Sequence, residues 1–159
     1  RTIYNTEIGS ISGAIPPLIG WAAIYPDVTH PAILGLFVIT IIWQMPHFYA
    51  IAIRKHDEYK AAKVPMLPVV KGVKRTYIQT NIYLIILIAI SFLFGSLSLG
   101  LMLVSLLLSV IWLILSIFGY KKMSSEKWAK SMFNYSLLHM TVLFSTVIIY
   151  SLIGIIFKL

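Results

Sequence analysis

The sequence predicts an all-α membrane protein with about five transmembrane helices. Hydrophobic residues make up 59% of its 159 residues and charged residues only 11%, whereas a soluble domain carries about 25% charged residues. The apolar residues also form long runs without the two-residue alternation of a transmembrane barrel strand. These observations exclude an ordinary soluble domain, and the lack of cysteine excludes disulfides and thiolate metal sites.

The first two predicted helices each contain proline. The first spans about residues 8–25 and is rich in Gly and Ser. Pro16 and Pro17 interrupt it, because proline removes a backbone donor and kinks a helix. In lipid such a break is tolerated only where protein or a cavity surrounds it. The second helix spans about residues 32–53, and Pro46 weakens one hydrogen bond near its end.

The remaining apolar runs predict three more helices within a single domain that covers residues 1–159. These helices lie at about residues 77–97, 99–120 and 133–157. The first two of them are separated by a short turn bounded by glycines, so we expect a tight helical hairpin. The chain starts with Arg1 rather than with Met, and we therefore expect a piece of a longer protein.

Basic residues fall on every second loop. The loops at 26–31 and 95–100 contain no Lys or Arg, whereas residues 54–75 contain seven and residues 121–130 contain four. This alternation is the positive-inside pattern. It predicts a cytoplasmic start of the chain, a cytoplasmic loop at 54–76 and an external carboxyl end. The net charge of +8 is thereby explained without nucleic acid.

Two adjacent acids, Asp57 and Glu58, stand among basic residues in the loop at 54–76. Carboxylates supply the hard oxygen ligands that Mg²⁺ prefers, and Lys and Arg neutralise phosphate oxygens. The loop is therefore either a solvated connector whose charges only set topology or a site that holds a polyanion through a divalent metal. Three polar residues near the start of the first helix either line a site or cap the helix: Asn5, Thr6 and Glu7.

The helix that leads into this loop carries polar groups close to its end. Trp43, His47 and Arg54 lie near one helical face because they are four and seven residues apart. His47 is either a hydrogen-bonded core or interface residue, or a functional group such as a haem ligand, a proton carrier or an anion contact. In the last helix, His139 and Asn134 are expected to hydrogen bond to neighbouring helices.

Three sequence blocks carry a family resemblance. They read IGSISGAIPPLIGWAA at residues 8–23, WQMPHFYAIAI at 43–53 and DEYKAAKVPMLPVVKG at 57–72. Together with Arg1, Thr2 and Asn5, they resemble the bacterial protoheme IX farnesyltransferases of the UbiA-type intramembrane prenyltransferase superfamily. The resemblance implies the C-terminal part of a nine-helix bundle with a lipid-open cavity, in the bacterial cell membrane.

The resemblance also implies an activity and its partners. The activity is Mg²⁺-dependent transfer of farnesyl from farnesyl diphosphate to the 2-vinyl group of haem B, with haem B as substrate rather than cofactor. Haem A synthase is a possible partner. Asp57 and His47 would be catalytic, Asp57 and Glu58 would bind the metal, and His47 and Trp43 would contact haem. The implied diphosphate contacts are Arg54, Lys55, Lys60, Lys63, Lys71 and Asn5.

One departure from the family pattern keeps alternatives open. Relatives carry an Asp-x-x-x-Asp motif in this loop, but Ile53 stands four residues before Asp57. The first acidic motif of the superfamily would lie upstream of Arg1, so the active site is expected to be incomplete here. The alternatives are a quinone-precursor prenyltransferase and a non-catalytic membrane protein that binds haem or lipid.

Overall fold

The computed structural model describes residues 2–24 and 27–157, and the described residues form helices and short connections without any β-strand. The α-helices in chain order are α1 (Asn5–Gly13), α2 (Ile15–Ala22), α3 (Pro31–Arg54), α4 (His56–Ala61), α5 (Leu67–Ser91), α6 (Leu99–Lys122) and α7 (Ser125–Phe157). Within the described ranges, four stretches are long and apolar enough to cross a membrane: Ile33–Arg54, Leu67–Gly95, Leu99–Lys122 and Ser125–Ile153. The predicted all-α membrane fold is confirmed.

The first predicted helix is two short helices. The chain leaves α1 at Ala14, and α2 then carries its prolines in its first turn, where proline is tolerated. The break that Pro16 and Pro17 predict is therefore present, a little earlier than the prolines themselves. Tyr25, the predicted end of this segment, lies outside the described residues.

The predicted loop at 54–76 is largely helical. It contains α4, and α5 begins at Leu67 with proline in its first turn. Gly72 interrupts α5 with a φ of 78°, a left-handed value that glycine adopts without strain. Similarly, α7 begins at Ser125, eight residues before the predicted start at 133. Apolar runs mark the part of a helix that lipid surrounds, and these helices continue beyond it as charged turns.

Helices α3, α5, α6 and α7 form a four-helix bundle in which α3 and α6 each pack against both α5 and α7. Helices α1 and α2 pack against α3 from outside the bundle. The largest buried side chains of the core include Trp112 and Trp128. The charged end of the bundle is the end at which α3 and α6 finish and α5 and α7 begin. It carries α4.

Small polar side chains connect the helices inside the bundle. Ser91 Oγ lies 2.8 Å from Ser105 Oγ, and Ser109 Oγ lies 3.2 Å from His139 Nε2. Such hydrogen bonds between small residues allow helices to approach closely in an apolar environment. The predicted inter-helix bonding of His139 is thus confirmed, whereas the side chain of Asn134 is exposed.

Candidate functional site

A cavity of about 550 Å³ lies at the charged end of the bundle. We call it the cap cavity. The end of α3, the first turn of α4 and the start of α7 supply its charged lining: Arg54, Lys55, His56, Asp57, Glu58 and Glu126. The cavity therefore collects acids and bases that the sequence places in two separate loops.

The two predicted metal ligands differ in their surroundings. The Asp57 side chain is 99% exposed, and its Oδ1 lies 3.0 Å from His56 Nδ1. Glu58 Oε1 instead pairs with Lys55 Nζ at 2.6 Å, and both of these side chains are largely exposed. An ion pair this exposed contributes little to stability. Of these two acids, Asp57 is thus the one that has no lysine or arginine partner among the described residues.

The two predicted metal ligands provide only part of a metal site. Adjacent residues of a helix point in different directions, so Asp57 and Glu58 do not converge on one point. Across residues 2–24 and 27–157, no group of three or more His, Asp and Glu side chains is arranged to hold a metal ion. Mg²⁺ commonly takes only one or two carboxylates and completes its shell with water and substrate phosphate. The cap cavity has enough carboxylates for this, since Asp57, Glu58 and Glu126 all line it.

The predicted cationic contacts are spread over this end of the molecule. The Arg54 guanidinium lies 5.0 Å from the centre of the Phe133 ring on α7, a cation–π geometry that fixes its position. Lys60 and Lys63 are exposed at the end of α4 and in the turn that follows. Only Arg54 and Lys55 of the predicted diphosphate contacts line the cap cavity with Asp57.

Asn5 and Lys71 line two other cavities. Asn5 lines a cavity of about 210 Å³ together with Phe48 of α3. Lys71 lines a cavity between α1 and α5 that also has a volume of about 550 Å³ and includes Glu7 and Arg75. The described residues alone therefore do not gather the predicted diphosphate contacts into a single pocket.

Glu7 is a half-buried acid, and its sequence context allows either a site role or a capping role. Its Oε1 accepts hydrogen bonds from the Tyr49 hydroxyl at 2.6 Å and from the Tyr83 hydroxyl at 3.4 Å. Its Oε2 is buried without a partner among the described residues. Glu7 thus ties α1 to both α3 and α5. A single acid in an apolar segment was the only sequence signal for this arrangement.

His47 stacks on two aromatic side chains where α3 packs against α7. Its ring stacks on Trp43 with a centroid distance of 4.7 Å and on Phe133 with a centroid distance of 5.1 Å. Its Nδ1 lies 2.7 Å from Ser136 Oγ, and Trp43 Nε1 donates to the Ser136 carbonyl at 3.0 Å. The structure therefore holds His47 and Trp43 together against α7, and it adds Ser136, which the sequence did not indicate.

Comparison with known proteins identifies a family. The UbiA prenyltransferase family matches residues 1–138. A protein named protoheme IX farnesyltransferase 1 from Bacillus cytotoxicus is 83% identical over 99% of this chain and 52% of its own length. Relatives from Lysinibacillus sphaericus, named protoheme IX farnesyltransferase 2, and Shouchella clausii, named protoheme IX farnesyltransferase, are 68% and 67% identical. The match with the Lysinibacillus sphaericus relative spans 100% of this chain and 51% of that protein. The match with the Shouchella clausii relative spans 97% of this chain and 50% of that protein.

The chain thus spans about half the length of the curated relatives it matches. No solved structure matches it. Residues contributed by the other half of such proteins lie outside the structure described above.

Proposed function

Because the chain belongs to the UbiA prenyltransferase family, we propose that it forms part of an enzyme that makes haem O. The enzyme transfers the farnesyl group of farnesyl diphosphate to the 2-vinyl group of haem B. The observation that carries this proposal is the 83% identity, over 99% of the chain, with a relative named protoheme IX farnesyltransferase 1. That name favours a porphyrin acceptor over a quinone precursor.

The reaction makes two chemical demands, and the many basic and apolar residues of this protein suit them. The carbon–oxygen bond of farnesyl diphosphate breaks, and diphosphate leaves with the bonding electrons. The terminal vinyl carbon then bonds to the allylic cation, water adds to the adjacent carbon and a proton is released. Leaving diphosphate needs cationic stabilisation, and the carbon cation needs a site from which other water is excluded. Both substrates are lipophilic, so a site within a membrane protein is appropriate.

The cap cavity is our proposed location for the diphosphate. Arg54 and Lys55 would neutralise its oxygens, with Lys60, Lys63, Lys71 and Asn5 as further contacts from nearby segments. Asp57 would be the main ligand of Mg²⁺ and Glu58, which points in another direction, a secondary one; the ion supplies charge neutralisation for the leaving diphosphate when bound. The free carboxylate of Asp57 supports the leading role that we give it.

His47 is our proposed proton acceptor for the water that adds to the vinyl carbon. Its position beside Trp43 supports this role, since stacking covers the faces of the two rings and leaves their edges for contact with the edge of a porphyrin. We accordingly propose that His47 and Trp43 touch the vinyl edge of the haem rather than its iron. The product haem O would pass to an oxidising enzyme such as haem A synthase.

The decisive experiment uses the full-length protein in lipid nanodiscs with Mg²⁺, farnesyl diphosphate and haem B. We expect a product whose mass equals haem B plus one farnesyl group and one water-derived hydroxyl. Replacing haem B with 4-hydroxybenzoate should give no prenylated product. Prenylation of the phenol in place of haem would contradict the proposal, and so would haem binding without turnover.

A further inference from the structure

The Ser136 hydroxyl has two hydrogen-bond partners, one on its own helix and one on α3. Its Oγ donates to the Phe133 carbonyl of the preceding turn of α7, and it also lies 2.7 Å from His47 Nδ1 on α3. Serine in a helix commonly donates to a carbonyl three or four residues earlier. A hydroxyl has one hydrogen, and because a carbonyl oxygen only accepts, the bond to Phe133 requires that hydrogen to point at the carbonyl.

The proton on His47 follows from this assignment. Since the Ser136 hydrogen points at Phe133, the Ser136 oxygen is left as an acceptor, and His47 Nδ1 must be the donor. A neutral imidazole carries one hydrogen, so Nε2 then bears a free lone pair. Among the described residues, Nε2 has no hydrogen-bond partner, and the His47 ring is only half-buried.

The surroundings prevent the ring from rotating to exchange its two nitrogens. Trp43 and Phe133 both stack on the imidazole, with interplanar angles of 18° and 29°. Phe48 meets it edge-on at 5.4 Å. Trp43 is itself fixed by its hydrogen bond to the Ser136 carbonyl. One residue of α7 therefore orients both aromatic partners on α3.

We propose that Ser136 is a positioning residue that holds His47 in the Nδ1–H tautomer and so presents Nε2 as the proton acceptor of the reaction. This inference rests on the proposed function, because it deepens the role given to His47 there. A base must offer an unprotonated nitrogen to the water it activates, and a fixed tautomer keeps that nitrogen available in every neutral molecule.

The test combines a spectroscopic and a kinetic measurement on the full-length protein in nanodiscs. With ¹⁵N-labelled histidine, and with His47→Gln to assign the signal, the wild type should show a protonated Nδ1 and an unprotonated Nε2. Ser136→Ala should give mixed tautomers and about a tenfold fall in kcat, with the KM for farnesyl diphosphate within twofold. Ser136→Thr keeps a hydroxyl that bonds backwards in the same way, so it should restore both readouts.

The control is Ser145→Ala, which removes an exposed hydroxyl from the same helix and should change neither readout. A wild-type spectrum with hydrogen on Nε2 would overturn the proposal, and so would Ser136→Thr behaving like Ser136→Ala. The NMR result needs no turnover. Absence of haem O formation would therefore refute the proposed function while leaving the tautomer assignment to be decided by the spectrum.

Discussion

At the scale of single residues, the two acids of α4 are not equivalent. Glu58 is engaged with Lys55, whereas Asp57 contacts only the neighbouring His56 in the described part of the chain. A carboxylate that already pairs with a lysine must give up that interaction before it binds a cation. Asp57 is therefore the better ligand, although the sequence presents the two acids side by side.

We accordingly predict that Asp57→Ala abolishes haem O formation in the full-length enzyme and that Glu58→Ala lowers it less. Loss of the Asp57 carboxylate should cost on the order of a few kcal/mol of transition-state stabilisation. The measurement is the rate of haem O formation at saturating substrates, with Glu126→Gln as a control that alters a third acid of the same cavity. A near-normal rate for Asp57→Ala would indicate that the charges at residues 54–76 only set the membrane topology.

His47 gives a second prediction at this scale. His47→Ala should lower the yield of haem O while the amount of folded protein stays similar. Trp43 keeps its hydrogen bond to the Ser136 carbonyl, so α3 and α7 remain connected. The absorption spectrum of bound haem then distinguishes two roles. An unchanged Soret band with lost activity fits a base near the vinyl edge, a shifted band indicates ligation of the iron, and full activity would leave His47 a hydrogen-bonded structural residue.

At the scale of helices, α1 makes a second close contact with α3 besides the hydrogen bond between Glu7 and Tyr49. The Gln44 side chain is buried, and its Nε2 donates to the carbonyls of Ser10 and Thr40, each at 3.1 Å. Gly13 on α1 leaves the space that the Gln44 amide occupies, and a Cβ at this position would clash with it. The two hydrogen bonds prevent the amide from moving aside.

Gly13→Ala should therefore destabilise the protein, by about 1–3 kcal/mol as overpacking usually does. Gly9→Ala on the same helix is the matched control, because its added Cβ would meet no atom within 4 Å. Alanine favours helix over glycine by about 0.8–1.0 kcal/mol, so the control should be neutral or slightly stabilising. Thermal unfolding of the purified protein, followed by tryptophan fluorescence, measures both. Equal melting temperatures for the two variants would contradict the predicted clash.

The helices also show what a sequence can and cannot predict here. Long apolar runs and the glycine-bounded turn are local features, and they predicted the α5–α6 hairpin and the interruption near Pro16. The extensions of α5 and α7 beyond the apolar runs were missed because apolar runs alone do not distinguish charged helical turns from loops. Ser136 was missed for another reason: its role exists only after α7 packs against His47, 89 residues away in sequence.

At the scale of the whole molecule, the alternation of loop charge matches the arrangement of the bundle. The segments that hold Lys63 and Lys127 both lie at the charged end, and the connection that holds Thr29 precedes α3 at the opposite end. The cap cavity lies at the charged end as well. If the cap cavity holds the diphosphate as we propose, the leaving group would be released on the side where the basic residues lie, which the positive-inside rule predicts to be the cytoplasm.

This arrangement gives a prediction of topology that is independent of catalysis. Reporter fusions to the full-length protein at Lys63 and Lys127 should report the cytoplasm, and a fusion at Thr29 should report the outside. Because basic residues within short loops resist translocation, replacing the four lysines of residues 121–130 with glutamine should weaken the orientation of α6 and α7. Replacing the same four lysines with arginine keeps the positive charge and is the control. A cytoplasmic signal at Thr29, or an external one at Lys63, would contradict both the membrane orientation and the placement of the diphosphate site on the cytoplasmic side.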